Sequence, residues 1–157
     1  MQKDDFVRQV EEMRLPMYRV SCAYLRQEAD RLDAVQEALL KAWKALPRLK
    51  EEKYFKTWLT RILIRECVNI QRHQARVTPV EDVPPPVWQG ESGNPELRDA
   101  LLRLPENQRI VIVLFYMEGY PVDEIGRILR LPKGTVCSRL NRARAQMKAM
   151  MKEEAEK

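Results

Sequence analysis

The chain has 157 residues, which is enough for one domain or two small ones. Hydrophobic residues make up 45% of it and charged residues 32%, a composition that indicates a folded protein and excludes a disordered one. A net charge of +5 favours a polyanionic partner without requiring one. The presence of only five glycines, with many Leu, Arg, Glu, Ala and Lys residues, favours an all-α fold.

Membrane and export signals are missing from the sequence pattern. No apolar run approaches the roughly 18 residues that a membrane span needs. Residues 1–5 lack the apolar core of a signal peptide. We therefore expect a cytoplasmic protein that does not insert directly into a membrane.

The residue types that usually carry catalysis or hold metals are few and scattered. Cys22, Cys67 and Cys137 fit neither a disulfide framework nor a metal-ligand spacing, and His73 is the single histidine. Paired carboxylates, a Cys–His arrangement and a Gly-rich phosphate loop are not found. The sequence predicts reduced thiols, no catalytic residues, no metal, no cofactor and no small-molecule substrate. A thiol-dependent enzyme is the weakest alternative.

A proline-rich segment, residues 78–95, separates two parts of the chain. It holds five of the ten prolines and lacks helical periodicity. Because proline cannot donate a backbone hydrogen bond and disfavours helix in the residue before it, we predict an extended tether. The expected domains are residues 1–76 and 95–157, joined by an acidic linker at 77–94 between two basic blocks.

The first part predicts three amphipathic helices, because apolar residues recur every three or four positions. The first helix carries Phe6, Val10, Met13, Met17 and Val20, and the second carries Val35, Leu39, Ala42, Trp43 and Leu46. Pro47 ends the second helix, and a charged loop runs from Arg48 to Tyr54. The third helix has Leu59, Ile62, Leu63 and Cys67 on one face and a basic stripe of Arg61, Arg65, Asn69, Arg72 and Arg76 on another.

In the second part, Pro95 and Pro105 mark the starts of two helices, since proline is tolerated in a first helical turn. The second of these helices contains the apolar run 110–116, for which a β-strand is the alternative. Further on, residues 122–129 and a helix entered at Thr135 predict a helix-turn-helix motif around a turn that contains Gly. The inner face of the last helix carries Val136, Leu140, Ala143 and Met147.

The segment from Gly126 to Lys152 has eight basic side chains and no acidic one. On a helical projection, the positions opposite the inner face are Ser138, Asn141, Arg142 and Ala145. Ser, Asn and Arg side chains hydrogen-bond base edges, and flanking cations suit phosphates. We therefore predict a DNA-recognition helix. A basic face that is merely solvated stays open as the alternative on these residues alone.

Five segments share their order and spacing with one known family. Three lie in the second part: Leu104-Pro-Glu-Asn-Gln-Arg109, Asp123-Glu-Ile-Gly126 and Leu131-Pro-Lys-Gly-Thr-Val-Cys-Ser-Arg-Leu-Asn-Arg-Ala-Arg144. Two lie in the first part: Asp33-Ala-Val-Gln-Glu-Ala-Leu-Leu-Lys-Ala-Trp43 and Phe55-Lys-Thr-Trp-Leu-Thr-Arg-Ile62. They resemble regions 4 and 2 of the extracytoplasmic-function (ECF) subfamily of sigma-70 RNA polymerase sigma factors. The resemblance covers residues 6–76 and 95–151 and implies two small helical domains.

The resemblance implies a protein that binds the clamp and flap of core RNA polymerase and directs it to promoter DNA. In region 2, it implies that Asp33, Gln36 and Glu37 contact the clamp. The following loop captures a flipped base of the minus-ten element in such factors, and the next helix lies along the DNA. The corresponding residues are Arg48, Lys50, Lys53, Tyr54, Arg61, Arg65, Asn69 and Arg72.

In region 4, the resemblance implies that the helix after Gly-Thr-Val contacts the minus-thirty-five element. The corresponding residues are Lys133, Thr135, Cys137, Ser138, Arg139, Asn141 and Arg142. An anti-sigma factor is an expected partner, because family members are often restrained by one. The sequence departs from the family at Cys137, where Lys or Arg is common. It departs again at Arg31-Leu32, where a small residue and an acid are usual.

Other residues have competing interpretations. Trp43 and Trp58 have the stacking surface of single-strand binders, but their helical spacing favours the core, as it does for Phe55. Tyr54 is evenly balanced between the two. Cys137 lies among arginines, which make a thiol more reactive, but no second feature supports a redox switch. A helix-turn-helix repressor is the alternative function, and it would need a dimerisation or ligand domain in place of the region 2 motifs.

Overall fold

The computed structural model describes residues 1–77 and 95–156. The chain divides into two compact units, Met1–Pro85 and Pro86–Lys157. All secondary structure in the described ranges is helical, which confirms the all-α prediction. None of the described helices is long and apolar enough to cross a membrane. The tether predicted at 78–95 lies outside the described residues except for Pro95.

Unit 1 contains four α-helices in its described part. They are α1 (Lys3–Glu12), α2 (Arg14–Tyr24), α3 (Glu28–Ala45) and α4 (Phe55–Val77). Two 3₁₀ turns, Leu46–Arg48 and Glu52–Tyr54, lie in the loop between α3 and α4. Helix α3 has its most extensive packing against α4, and α2 packs against both.

A break at Met13 divides the segment that periodicity predicted as one helix, so that prediction is wrong. Met13 separates α1 from α2 and has a backbone ψ of 0°. Pro16 lacks the N–H that would donate to the Glu12 carbonyl four residues earlier, which weakens the helix at this point. The spacing of apolar residues did not predict the break, because Met13 and Met17 on its two sides are both buried and keep the helical pattern.

A ridge of alanines lies on the buried face of α3, the helix that packs most extensively against α4. Ala34, Ala38 and Ala42 have no exposed surface, and their spacing of four residues places them in one row. Because alanine ends at a methyl group, this row allows a neighbouring helix to approach closely. The buried residues of the facing side of α4 include Leu59, Leu63 and Cys67, as predicted.

The alanine ridge rotates α3 away from the face that its larger apolar residues predicted. Trp43 is 46% exposed, so its prediction as a core residue is wrong. Val35 and Leu39 are half-buried, because the smaller side chains occupy the closest part of the helix contact. Phe55 is buried as predicted, and Trp58 is half-buried.

Two polar contacts connect α3 and α4 at different positions along the helices. The Lys41 ammonium pairs with the Glu66 carboxylate, which is buried. The Gln74 amide donates to the Asp30 carboxylate. The partner of the earlier α3 residue, Asp30, lies later in α4 than the partner of Lys41 does, so the two helices are antiparallel.

Unit 2 also contains four described α-helices. They are α5 (Pro95–Arg103), α6 (Glu106–Ile112), α7 (Val122–Leu129) and α8 (Lys133–Glu156). Helices α5, α6 and α7 each pack on α8, whose buried face carries Val136, Leu140, Ala143 and Met147, as predicted. Pro95 opens α5 and Pro105 caps α6, which confirms both predicted starts.

The helix that begins at α6 widens into a π-helical turn at Val113–Met117. The Glu118 N–H donates to the Val113 carbonyl, five residues earlier, at 3.0 Å. The run 110–116 is therefore helical, and the strand alternative is excluded. Val113 and Leu114 face the core, whereas Tyr116 is 57% exposed.

The turn between α7 and α8 depends on the absence of a side chain at Gly126. A Cβ atom there would lie 2.8 Å from the Leu131 carbonyl oxygen, which is too close for ordinary contact. The Leu131 N–H donates to the Gly126 carbonyl at 2.9 Å. Arg130, with a φ of +57°, turns the chain in the left-handed region.

The sequence placed the glycine of this turn and the start of the last helix incorrectly. Helix α8 begins at Lys133 rather than at Thr135, because the Pro132 carbonyl accepts hydrogen bonds from the Thr135 and Val136 N–H groups. Gly134 therefore lies in the first turn of α8 rather than in the connecting turn.

We expect the substitution Gly126→Ala to lower the free energy of unfolding of unit 2 by about 1–3 kcal/mol, because the methyl group overlaps a backbone atom. Gly134→Ala is the matched control: no atom lies within 4 Å of a Cβ at that position. Its effect should stay within about 0.5 kcal/mol. Thermal unfolding followed by circular dichroism measures both variants. Equal stabilities would contradict the contact at Gly126.

Candidate nucleic-acid and protein interfaces

The exposed face of α3 carries the residues that the sequence predicted for protein binding. Asp33, Gln36 and Glu37 are all exposed. Leu32 and Leu40, on the same side by helical spacing, are 50% and 56% exposed. We call these five residues the α3 patch. The sequence missed its two leucines, because periodicity assigned their neighbours to the core and left them without a role.

Arg31 lies next to the α3 patch but points into the protein, where it is 1% exposed. Its Nε donates to the Leu25 carbonyl at 3.0 Å, and its Nη2 donates to the Arg26 carbonyl at 2.8 Å. The guanidinium also lies 5.9 Å from the centre of the Tyr18 ring. Arg31 therefore holds the connection from α2 to α3. This explains why an arginine stands where the family usually has a small residue.

We expect Arg31→Met to lower the free energy of unfolding by about 2–4 kcal/mol, because the Leu25 carbonyl, in a buried hydrogen bond, and the part-buried Arg26 carbonyl lose their donors while the apolar stem is kept. Arg14→Met is the matched control, since the Arg14 side chain is 81% exposed. It should change stability by less than about 0.5 kcal/mol. Urea unfolding compares the two. A loss of similar size in both variants would show that the buried hydrogen bonds of Arg31 add little stability.

The thiols differ in their environment. Cys22 and Cys67 are buried and Cys137 is half-buried. Burial raises the pKa of the Cys22 thiol to about 11, although the nearby Arg31 acts in the opposite direction. Cys22 therefore stays protonated and unreactive at neutral pH.

Within residues 1–77 and 95–156, no group of three His, Cys, Asp or Glu side chains is placed to hold a metal ion.

The loop between α3 and α4 presents an aromatic ring and several cations. Tyr54 is 45% exposed, and the Lys53 ammonium lies 5.1 Å from the centre of its ring. Lys53 also pairs with Glu51 at 3.4 Å. Phe55 follows directly and is fully buried, so it anchors the end of the loop to the core. The other exposed cations predicted in this loop are Arg48 and Lys50.

The predicted basic stripe lies along α4, on the side away from its buried face. Arg65, Asn69 and Arg72 are exposed, and Arg61 is half-buried. Steps of four, four and three residues keep these side chains on one side of a helix. The stripe and the loop are consecutive in the chain, and together they form the cationic surface of unit 1.

A concave surface in unit 2 lies at the N-terminal end of α8. Its volume is about 620 Å³, and we call it the recognition groove. The predicted DNA contacts that line it are Thr135, Ser138, Arg139 and Arg142. The other lining residues are Asn107, Gln108, Pro132 and Gly134. The Gln108 Oε1 atom is buried and has no hydrogen-bond partner among the described residues.

Three predicted DNA contacts lie outside the lining of this groove. Lys133 pairs with Asp123 of α7 at 3.5 Å, and both side chains are exposed. Cys137 is half-buried on α8. Asn141 is exposed, and its side-chain oxygen accepts a hydrogen bond from Arg144.

Sequence reasoning missed Asn107 and Gln108 as groove residues. They belong to the segment Leu104-Pro-Glu-Asn-Gln-Arg109, which the sequence used only as a family motif. Arg109 of this segment caps α5: its guanidinium donates to the carbonyls of Leu101, Leu102 and Leu104 at 3.0, 3.1 and 2.7 Å. The motif thus ties α6 to the end of α5 and places Asn107 and Gln108 opposite α8.

Comparison with known proteins identifies the family. Residues 10–77 match Sigma-70 region 2, and residues 95–147 match Sigma-70 region 4. The chain is 32% identical over 139 residues to the ECF RNA polymerase sigma factor SigM of Mycobacterium tuberculosis, covering 86% of this chain and 71% of SigM. It is 37% identical over 131 residues to the ECF RNA polymerase sigma-E factor of Escherichia coli, covering 71% of this chain and 69% of that factor.

Solved structures support the same fold. The sigma factor RpoE of Bartonella quintana, in complex with the anti-sigma factor NepR, matches with a TM-score of 0.78 and 24% identity. The match covers 94% of this chain and 97% of RpoE. CnrH, in complex with the cytosolic domain of CnrY, matches with a TM-score of 0.71, 23% identity and coverage of 97% and 90%. Both regions and the sequence relatives agree, and the chain belongs to the ECF subfamily of sigma-70 RNA polymerase sigma factors.

Proposed function

We propose that this ECF sigma factor binds its partners through three separate surfaces of the described residues. The α3 patch binds core RNA polymerase, the loop and stripe of unit 1 bind the minus-ten element, and the recognition groove binds the minus-thirty-five element. The proposal rests on one observation: the three surfaces are separate and differ in their chemical composition. Unit 1 has an acidic and apolar patch distinct from its cationic surface, whereas the groove of unit 2 carries arginines, hydroxyls and amides.

The α3 patch has the composition of a protein-binding surface. Its two leucines supply apolar area that association removes from water, and its two carboxylates supply charge complementarity to a basic partner. The neighbouring Trp43 adds an exposed aromatic ring, a residue type that often dominates binding energy. The resemblance of this helix to the clamp-binding motif of the family supports core polymerase as the partner.

We expect the double substitution Asp33→Lys and Glu37→Lys to abolish binding to core polymerase, because it replaces complementary charges with like charges. The helical content should not change, since both side chains are exposed. Pull-down with core polymerase, alongside circular dichroism, measures the two properties.

The matched control for this experiment is Asp4→Lys with Glu11→Lys. These residues are exposed on α1, and the pair changes the net charge by the same amount. The control should keep core binding. If the α3 double variant is well folded and still binds, the patch is not the docking site. If both variants lose binding, the effect comes from net charge rather than from the patch.

The cationic surface of unit 1 suits a melted DNA strand. Tyr54 offers an exposed ring for base stacking, and the adjacent Lys53 can neutralise a phosphate. The stripe of α4 extends this surface along the helix. Its side chains can donate hydrogen bonds to successive phosphates of a nucleic-acid backbone. We infer that the loop captures a flipped minus-ten base and that Arg61, Arg65, Asn69 and Arg72 hold the DNA beside it.

The recognition groove suits double-stranded DNA. Helix α8 presents Ser138, Arg139 and Arg142 to it, and these side chains can donate to base edges or phosphates in the major groove. Gly134 leaves open space in the wall, so a DNA backbone can approach closely there.

We expect Arg142→Ala to weaken binding to the preferred promoter by about 1–3 kcal/mol and to relax its sequence preference, because it removes a base contact. Lys148→Ala, on the same helix but outside the groove, should weaken binding to all sequences alike through a lost phosphate contact. Fluorescence anisotropy with preferred and scrambled duplexes measures both. Equal effects on the two duplexes for both variants would remove Arg142 from the base-reading set.

We further propose the domain limits 1–76 and 95–157 with a linker at 77–94, on the basis of its prolines and its acidic composition. The prediction for Gly126→Ala also tests this division, because independent domains require that only one of two unfolding transitions shifts. We also propose that the chain acts in the cytoplasm together with the polymerase, and that the polymerase performs the catalysis. An anti-sigma partner is supported by the complex of RpoE with the anti-sigma factor NepR.

A further inference from the structure

One side chain of α1, Phe6, contacts both ends of the loop between α3 and α4. The centre of its ring lies 5.2 Å from that of Trp43, in the last turn of α3. It lies 5.7 Å from that of Phe55, the first residue of α4. Both pairs meet edge to face, with interplanar angles of 61° and 84°, which is a favourable arrangement for aromatic rings. Phe6 therefore joins the two helices where the loop leaves one and enters the other.

The burial of Phe6 makes this a firm contact. Phe6 is 8% exposed and Phe55 is fully buried, so movement of either ring would open the core. Lys56, the next residue of α4, pairs with Glu12 at the end of α1, at 3.6 Å. Both of these charged side chains are exposed, so their pair adds little energy, but it gives α1 a second contact with the start of α4.

The loop between these contacts is short and partly ordered by its own turns. Its ends are the 3₁₀ turns Leu46–Arg48 and Glu52–Tyr54, which leaves residues 49–51 between them. Tyr54, whose exposed ring is available for base stacking, directly precedes the buried Phe55. Because a loop whose ends are fixed has fewer conformations, binding a ligand to it costs less entropy.

We propose that Phe6 is a positioning residue for capture of the minus-ten base. It holds the two ends of the loop together, through Trp43 on one side and Phe55 on the other, and so keeps Tyr54 where a flipped base can stack on it. This inference rests on the proposed role of the loop in minus-ten recognition. It gives α1 a function that the family match does not assign, because the match to region 2 begins at residue 10.

Hydrogen exchange of the free chain measures the order of the loop directly. Phe6→Leu keeps an apolar side chain but removes the ring. The Leu49 and Tyr54 amides, which donate within the 3₁₀ turns at 3.0 and 3.1 Å, should then exchange about fivefold faster. Trp43→Leu removes the partner ring at the α3 end, on a side chain that is 46% exposed, and should have the same effect. Amides in the central turns of α3 and α4 should exchange as in the unmodified chain.

Leu63→Val is the matched control. Leu63 is buried in α4, eight residues beyond Phe55 and so about 12 Å along the helix. The substitution removes apolar volume from the core of unit 1 but leaves both ring contacts of Phe6 in place. It should not speed exchange in the loop relative to the helices. Urea unfolding measures the global stability of each variant, and exchange is compared at a temperature where all of them are folded.

Binding of single-stranded DNA by holoenzyme tests the consequence for promoter recognition. Holoenzyme assembled from core polymerase and the full chain selects oligonucleotides with a randomised central segment, and the enriched sequence and a scrambled copy then serve as probes. Tyr54→Ala should weaken binding of the enriched probe, because it removes the stacking ring. Phe6→Leu should weaken it about tenfold, which corresponds to the cost of ordering roughly one residue of backbone, and should leave the scrambled probe unchanged. Leu63→Val should bind both probes as the unmodified chain does.

Unchanged loop exchange in Phe6→Leu and Trp43→Leu overturns the positioning role. Equal acceleration in Leu63→Val also overturns it, because the effect is then a general loss of stability. If Tyr54→Ala weakens the enriched probe and Phe6→Leu does not, the inference fails and the proposed function of the loop stands. If Tyr54→Ala has no effect, the loop does not capture a base through this ring, and its proposed function fails as well.

Discussion

The buried row of Ala34, Ala38 and Ala42 on α3 determines which other side chains of this helix reach solvent. Because the alanines occupy the interface, the larger apolar residues on the other sides of α3 are left half-buried or exposed. The same rotation directs the α3 patch outward and leaves Trp43 beside it. A helix that buried its largest residues would have hidden this surface. Small side chains in this row are therefore a condition for the proposed protein-binding role of the α3 patch.

Unit 2 uses a similar constraint at Gly126. The missing side chain lets the Leu131 carbonyl approach α7, and this close approach sets the direction in which α8 leaves the turn. The long helix then buries one face against α5, α6 and α7 and leaves its opposite face exposed. Arg109 adds a second constraint, because it fixes α6 to the end of α5 and so positions the far wall of the recognition groove.

Much of the fold followed from the sequence because its signals are local. Helical periodicity and the family motifs predicted the inner face of α8, the basic stripe of α4 and the two proline-marked starts. The errors arose where tertiary packing decides. Periodicity favours large apolar residues, so it placed Trp43 in the core and did not anticipate an alanine ridge. The π-helical turn, the left-handed Arg130 and the contacts of Arg31 depend on partners distant in sequence, which spacing cannot show.

The candidate site was predicted as sets of residues rather than as surfaces. The sequence identified the polar face of α8 and the cations of unit 1, but it missed Leu32, Leu40, Asn107 and Gln108. Their roles come from exposure and from proximity across helices. The α3 patch, the cationic surface and the recognition groove exist only when the helices are assembled, and each is formed by side chains that the core does not use.

The central claim is that the chain confers promoter-specific initiation on core polymerase. In vitro transcription with purified core enzyme, with and without the full chain, tests it most directly on a pool of genomic fragments from the same bacterium. The account predicts transcripts that require the chain, that start at defined sites, and whose templates share one upstream and one downstream element at constant spacing. Binding of the chain to these fragments with no transcript above that of core enzyme alone would contradict it.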